Sequence, residues 1–372
     1  MKRMGKRSRY WLAALAIGAT VLAAVASTLP RDRLLAPRSR RIATLDAELR
    51  STNVWRSDHE AILMRYRPAT PYYDIVQIDA ISLAETPLTA LNLKYKYALK
   101  SLTIRIPATT PGGPPKKEYD TPNYSVSPSG SWITFSPRYY TSGRNNYVPV
   151  VCTDFEGRSG AAWKHAYGPA TALWIEGGRR FIDATGGFGF QRSASAVLYS
   201  IHDPPVDLAI ERQLPFSNGT PVGVTGDGRP LILSYGAYQP APKATLWQID
   251  LQAAGAAYKT TVIPLPWIAR VRSVAISHTG DRLAWALEYD TSTRVPPWIR
   301  RLIPRGNSGP RSAVALWTSR LDGTGWQEIG HQPALPSILE DRDIGHVEWL
   351  PGDRRLSYTY ARALYTVAAA VP

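Results

Sequence analysis

The chain has 372 residues, of which 20% are charged, and a formal net charge of +15 at pH 7. So little charge beside 12 Trp and 20 Tyr excludes a disordered chain, and the length suffices for a large buried core. The basic excess does not point to nucleic acid, because ten of the Lys and Arg fall within residues 1–41 beside a single acid, Asp32; the remainder carries only about +6, ordinary for a folded domain.

Residues 1–33 read as a targeting segment. Lys2, Arg3, Lys6, Arg7 and Arg9 precede an apolar stretch from Trp11 to Leu29, about the length that spans a bilayer as a helix, and Pro30 ends it. Ala24, Val25, Ala26 and Ser27 fit a small-x-small cleavage pattern. Two outcomes stand. An uncut signal anchor makes a single-pass membrane protein with its amino terminus in the cytoplasm and its globular part outside, whereas cleavage near Ala26 gives a secreted or periplasmic form. Arg31, Arg33, Arg38, Arg40 and Arg41 lie beyond the apolar run, so orientation rests on the shortness of the basic tail. Residues 34–50 form a tether in which Ile42, Leu45 and Leu49 fall at helical spacing and predict a short helix.

From residue 51 to 372 one phrase recurs: an apolar residue, a polar turn with Gly or Asp, then an apolar strand. Its copies begin at Trp55, Val126, Trp174, Val224, Ile276 and Trp349. Aligned on Ile62, Ile133, Phe181, Leu231, Leu283 and Leu356, they lie about 50 residues apart in the middle of the chain and about 70 at its two ends, the period of propeller blades. In the second copy, Tyr124–Ser127 predicts an inner strand, Pro128-Ser129-Gly130 a tight turn, and Trp132–Ser136 the next strand. Third strands are expected at 74–79, 147–153, 197–201, 246–251, 316–321 and 364–367, and outer strands at 261–265 and 326–329. The expected architecture is all-β, a single propeller of six four-stranded blades, with a seventh as the alternative. The chain stops after a third strand, so closure of the ring calls for an outer strand from the amino-terminal side. Within the insertion from Leu91 to Lys117, the alternation in Leu91–Tyr97 and in Leu102–Ile106 predicts strands.

The phrases from Ser127 to Phe135 and from Ile276 to Trp285, followed by Leu316-Trp317 and Asp322-Gly323-Thr324-Gly325, resemble the repeats of TolB-type WD40-like propellers. That resemblance implies a bacterial envelope protein. It says little of activity, since such repeats occur in scaffolds and in peptidase propellers alike. The α/β domain that precedes the propeller in TolB has no room in this chain.

No catalytic set accompanies the repeats, and no catalytic, metal or cofactor residue is assigned. Gly157-Arg158-Ser159-Gly160-Ala161 lacks the last Gly of a nucleophile elbow. The histidines at 59, 165, 202, 278, 331 and 346 show no metal-ligand spacing, although residues distant in sequence could converge on a propeller axis. Glu340-Asp341-Arg342-Asp343 reads as a polar loop, and Gly186–Phe190 lacks the ending of a phosphate loop. The segment 291–311 stands apart: Arg294, Arg300, Arg301, Arg305 and Arg311 occur with no acid, and Trp298 supplies an aromatic anchor. Arg294, Trp298, Arg300, Arg301 and Arg305 are therefore the candidate binding residues. The expected role is a protein-interaction platform with a partner in the cell envelope. The alternative is a lactonase- or cyclase-like propeller enzyme with a metal on the axis, a reading that rests on fold analogy.

Overall fold

The repeated phrase folds as a run of antiparallel meanders. A computed structural model describes residues 34–46, 49, 51, 53–67, 72–99, 102–106, 116–120, 123–136, 148–165, 172–175, 180–183, 196–202, 207–214, 219–234, 240–252, 257–290, 312–333 and 344–369. In the first meander Trp55 bridges Ala61, and Glu60–Arg67, Tyr72–Asp79 and Glu85–Pro87 follow in order. The second runs Asn123–Val126, Trp132–Ser136, Val148–Asp154 and Gly160–His165. Its first turn needs glycine, since Gly130 has φ +66° and a Cβ there would stand 2.5 Å from the Arg56 carbonyl oxygen. The third comprises Ala172–Ile175, Arg180–Asp183, Ala196–His202 and Asp207–Leu214.

The next two meanders form one seven-stranded sheet. Gly219–Val224, Pro230–Ser234 and Ala241–Asp250 lead into the long strand Ala257–Ile276, which continues with Arg282–Asp290, Ser312–Arg320 and Gln327–Pro333. Residues 257–264 of that long strand close the fourth meander against 243–250, while residues 269–276 open the fifth against 283–289. A bulge between Val271 and Ser273 re-aims the strand where it changes role. The sixth meander comprises Val347–Trp349, Arg355–Tyr360 and Ala363–Ala368, and its outermost strand is Arg40–Thr44 from the start of the chain.

Contacts between neighbouring meanders then run full circle. Val126 N–H donates to Asn53 O (2.9 Å) and Asn53 Nδ2 to Val126 O (2.7 Å). Trp174 Nε1 donates to Ser125 Oγ (3.0 Å). Leu173, Ile175 and Ile182 pack with Ile232 and Ile249 in one apolar cluster. Gly226 N–H meets Gly280 O (3.3 Å), Trp349 Nε1 meets Ala275 O (3.3 Å), and Val54 N–H meets the Glu348 carboxylate (3.0 Å). The chain has the β-propeller fold. Stacked meanders bury both faces of their strands, so Glu60–Arg67 and Pro230–Ser234 each carry four consecutive buried residues rather than an alternation. Trp55, Trp285 and Trp349, opening or following the repeated phrase, are among the largest fully buried side chains.

Two local expectations are corrected. The helix expected from Ile42, Leu45 and Leu49 is a strand over Arg40–Thr44, because Ala363–Ala368 presents a free row of backbone donors and acceptors that a strand satisfies and a helix does not. A bulge between Arg41 and Ala43 lets Ile42 and Ala43 both turn inward. The strand expected at Leu91–Tyr97 is the helix Thr89–Lys94 followed by the 3-10 turn Lys96–Leu99. There the Asn92 side chain accepts from Ile75 N–H (2.9 Å) and donates to Ile75 O (3.1 Å), occupying backbone groups just beyond the reach of the short outer strand Glu85–Pro87. Leu102–Ile106 is a strand, paired with Lys116–Asp120 in a separate hairpin.

Candidate functional site

The tight turns after the inner strands gather on one face of the ring and lock into their neighbours. In the fifth meander, Ser277 Oγ accepts from Arg282 N–H (3.1 Å), and Thr279 Oγ1 donates to the Asp281 carboxylate (2.6 Å). Hydrogen bonding by Thr279 is the main reason the Asp281 carboxyl lies below its ordinary range. Gly280 has φ +74°, and a Cβ there would fall 2.0 Å from Gly226 N, so the turns of the fourth and fifth meanders touch backbone to backbone.

Asp353 carries the next seam. It accepts from His278 N–H (2.8 Å), Thr279 N–H (2.8 Å), Thr279 Oγ1 (2.9 Å) and, with the proton on that nitrogen, His278 Nδ1 (3.2 Å). Burial pushes the Asp353 carboxyl up, but the hydrogen bonds from His278 and Thr279 outweigh it and hold it at about 2. Burial likewise disfavours the charged His278, yet Asp353 outweighs it and raises the imidazole above its ordinary value. Arg282 lies over the Trp349 ring at 4.7 Å from its centroid, which adds a cation-π contact across the same seam.

At the last seam Glu348, 5% exposed, accepts from Val54 N–H, Trp55 N–H (3.2 Å) and His346 Nε2 (2.8 Å). This dyad is walled in by the ring it closes. Its geometry suits structure rather than turnover, since a buried carboxylate with its acceptor positions filled has no room for substrate.

Between the first and second meanders the turn face opens into a groove of about 600 Å³. Arg56, Glu60, Trp132, Asp154, Glu156 and Ser159 are among its walls. Arg56 is immobilised: Nε donates to Gly130 O (3.1 Å), Nη1 to Gln77 Oε1 (3.0 Å), and the guanidinium stacks 4.4 Å from the Phe155 ring centroid. Gln77 Nε2 in turn holds Glu60 at 2.7 Å, and Asp154 accepts from Arg158 N–H (2.8 Å) and Ser159 N–H (2.9 Å). The groove is polar, rigid and open, suited to an extended polar ligand. The repeated phrase does not single it out, because its walls come from two meanders.

Arg294, Trp298, Arg300, Arg301 and Arg305 lie outside the described residues, as do the Glu340–Asp343 cluster, Gly186–Phe190 and the apolar segment 11–29. Their flanks are placed. Asp290 and Ser312 pair directly across adjacent strands, so the basic insertion leaves and rejoins the fifth meander at one point, at the end away from the tight turns. Cys152 is fully buried, and burial alone pushes its thiol far up, which leaves it unreactive. His278, His331 and His346 each pair with one carboxylate, from Asp353, Glu328 and Glu348 respectively. Among the described residues no group of three His, Cys, Asp or Glu could hold a metal ion, and no helix is long and apolar enough to cross a membrane.

No family model matches the sequence, and no curated protein matches it. Among solved structures, the chain is similar to an oligogalacturonate lyase in complex with manganese at 9% identity and a TM-score of 0.47, over 89% of this chain and 92% of that one. It is similar to a gluconolactonase from Xanthomonas campestris at 12% identity and a TM-score of 0.44, over 90% and 93%. Similarity to TolB from Acinetobacter baumannii is 9% identity with a TM-score of 0.37, over 83% and 79%. Lyase, lactonase and TolB stand side by side, so these likenesses select no activity. The fold assignment rests on the closed ring of meanders.

Proposed function

We propose that the protein is a six-bladed, TolB-type propeller, tethered to the bacterial cell membrane by residues 1–33 and acting outside the cytoplasm as a protein-interaction platform. The observation that supports this reading is where the chain leaves and rejoins the fifth meander around the basic insertion. Asp290 and Ser312 hold both ends of the segment 291–311 on one rigid strand pair, and the segment brings Arg294, Arg300, Arg301, Arg305 and Arg311 with Trp298 and no acid. Arginine and tryptophan on a rigid scaffold are the side chains that anchor interfaces. The ring supports the same role, since its histidines and carboxylates at the seams are engaged in holding blades together.

The test is a crosslinking pull-down of the full-length protein from membranes, set against a variant carrying Trp298→Ala, Arg300→Ala and Arg301→Ala. Loss of a specific partner from the variant is the expected result. An unchanged partner set would sink the insertion as the working surface and direct attention to the groove beside Arg56.

A further inference from the structure

On the rim of the first meander, the turn joining Tyr72–Asp79 to Glu85–Pro87 offers two large apolar side chains to solvent. Ile81 is 59% exposed and Leu83 45%. The turn is not loose. Asp79 Oδ1 accepts from Ile81 N–H (2.8 Å), Ser82 N–H (2.6 Å) and Ser82 Oγ (2.9 Å), while Leu83 N–H donates to Asp79 O (2.8 Å). Leu83 has φ +61°, a left-handed conformation that glycine or asparagine adopts readily and that a leucine disfavours. A leucine there carries backbone strain while leaving 45% of its surface in solvent. Strain of this kind accumulates where a side chain serves a contact outside the fold.

Arg40 touches this tip, and Arg38 and Arg41 lie close to Arg40 along the chain. Arg40 Nη2 donates to Ile81 O at 2.5 Å, tying the turn to the outermost strand of the sixth meander. Arg38, Arg40 and Arg41 are exposed. Neighbouring acids are committed elsewhere: Asp79 to its own turn, Glu85 to Arg65. Apolar tip and arginines together have the make-up of a surface that enters the headgroup region of an anionic bilayer.

The path of the chain says which surface is within reach. Leu34 lies against His331 on the outer strand of the fifth meander, and Arg38 Nη1 donates to Ile329 O on the same strand (3.2 Å). From there the chain passes directly to Arg40 at the rim. The apolar segment ends at Leu29, so the stretch to Leu34 extends at most about 18 Å. A propeller tethered through that stretch keeps its amino-terminal rim close to the lipid.

We infer that Ile81 and Leu83, with Arg38, Arg40 and Arg41, form a lipid-contact rim that seats the propeller on an anionic bilayer beside its anchor. This rests on the proposal that residues 1–33 hold the protein in a membrane. It adds an orientation: the blade edge at the first and sixth meanders faces the lipid.

The test uses the full-length protein reconstituted into vesicles of phosphatidylcholine, alone or mixed with phosphatidylglycerol. Cys152 is buried, so Ser82→Cys supplies the accessible thiol for an environment-sensitive fluorophore, with Asp227→Cys in the fourth meander as the distant reference. The expected result is flotation with both vesicles, and a label at 82 that is blue-shifted and several-fold less quenched by acrylamide than the label at 227 in the mixed vesicles. Adding Arg38→Gln and Arg41→Gln should remove most of that protection. Flotation with equal quenching at both positions overturns the rim and leaves the tether standing, whereas failure to float overturns both. Protection at 82 that appears only when membrane proteins are added reassigns the rim to a protein partner and also overturns the inference.

Discussion

The seam between the fourth and fifth meanders and the seams on either side of the sixth are closed by different means. At the former, Ala257–Ile276 runs unbroken from one meander into the next, and Leu246, Ile263, Val271, Leu283 and Trp285 share one apolar cluster. At the latter two, buried carboxylates reach across: Asp353 to the turn at His278, and Glu348 to the backbone at Val54 and Trp55. The difference follows from connectivity. A continuous strand fixes the register of neighbouring meanders by itself, and non-directional apolar packing completes the seam. On either side of the sixth meander apolar clusters also cross the seam, and the buried carboxylates add charge-assisted hydrogen bonds that supply direction.

The comparison breaks most visibly at Glu348. Replacing it by Ala leaves two buried backbone N–H groups without an acceptor, and the expected loss is about 3–5 kcal/mol in urea unfolding. Glu348→Gln retains one acceptor and should lose roughly half as much. A loss below about 1 kcal/mol for the alanine variant would mean that the ring is closed by its apolar contacts.

Glycine at the shared seam gives the next largest effect. Gly280→Ala places a Cβ 2.0 Å from Gly226 N at φ +74°, so clash and strain combine and the expected loss is about 3 kcal/mol or more. Gly228 has φ +80° but open space around it, so Gly228→Ala reads the strain alone, about 1 kcal/mol. Equal losses in the two variants would show that the turns do not need their close approach.

The polar seam is also sensitive to pH through the buried Asp353 carboxyl. Asp353 sits at about 2 against an ordinary 3.8, so its contribution is complete above 3.8 and is lost as pH falls through 2. That contribution is about 2 kcal/mol. His278 is shifted the opposite way; its contribution is complete below 6.5 and fades as pH rises through its raised value. Urea midpoints should therefore be highest between about pH 4 and 6.5. Asp353→Asn should flatten the acid limb, and an acid limb unchanged in that variant would remove Asp353 as its source.

The repeats made the inner strands and their turns legible, because the Gly and Asp of each phrase are demanded locally, as at Gly130 and Gly280. The polar closure was legible only in outline. Nothing near Glu348 in sequence announces that its partners are Val54 and Trp55, and the spacing of Ile42, Leu45 and Leu49 suggested a helix until the free edge of Ala363–Ala368 claimed the segment. The same limit applied to Leu91–Tyr97, where the partner of Asn92 is the backbone of Ile75. The groove at Arg56 was hidden for a like reason, since its walls come from two meanders. Propensity and period speak for neighbours along the chain, and these sites are made by neighbours across it.

A smaller effect separates turns that serve the ring from a turn that faces away from it. Gly280 is left-handed and a neighbour stands where its side chain would be; Leu83 is left-handed and keeps a side chain that meets water. Asparagine tolerates that conformation, so Leu83→Asn should stabilise the protein by about 0.5–1 kcal/mol in urea unfolding. A gain on substitution would mean that stability is given up at this position for a contact outside the fold, whereas a loss would make Leu83 part of the packing of the first meander and its exposure incidental.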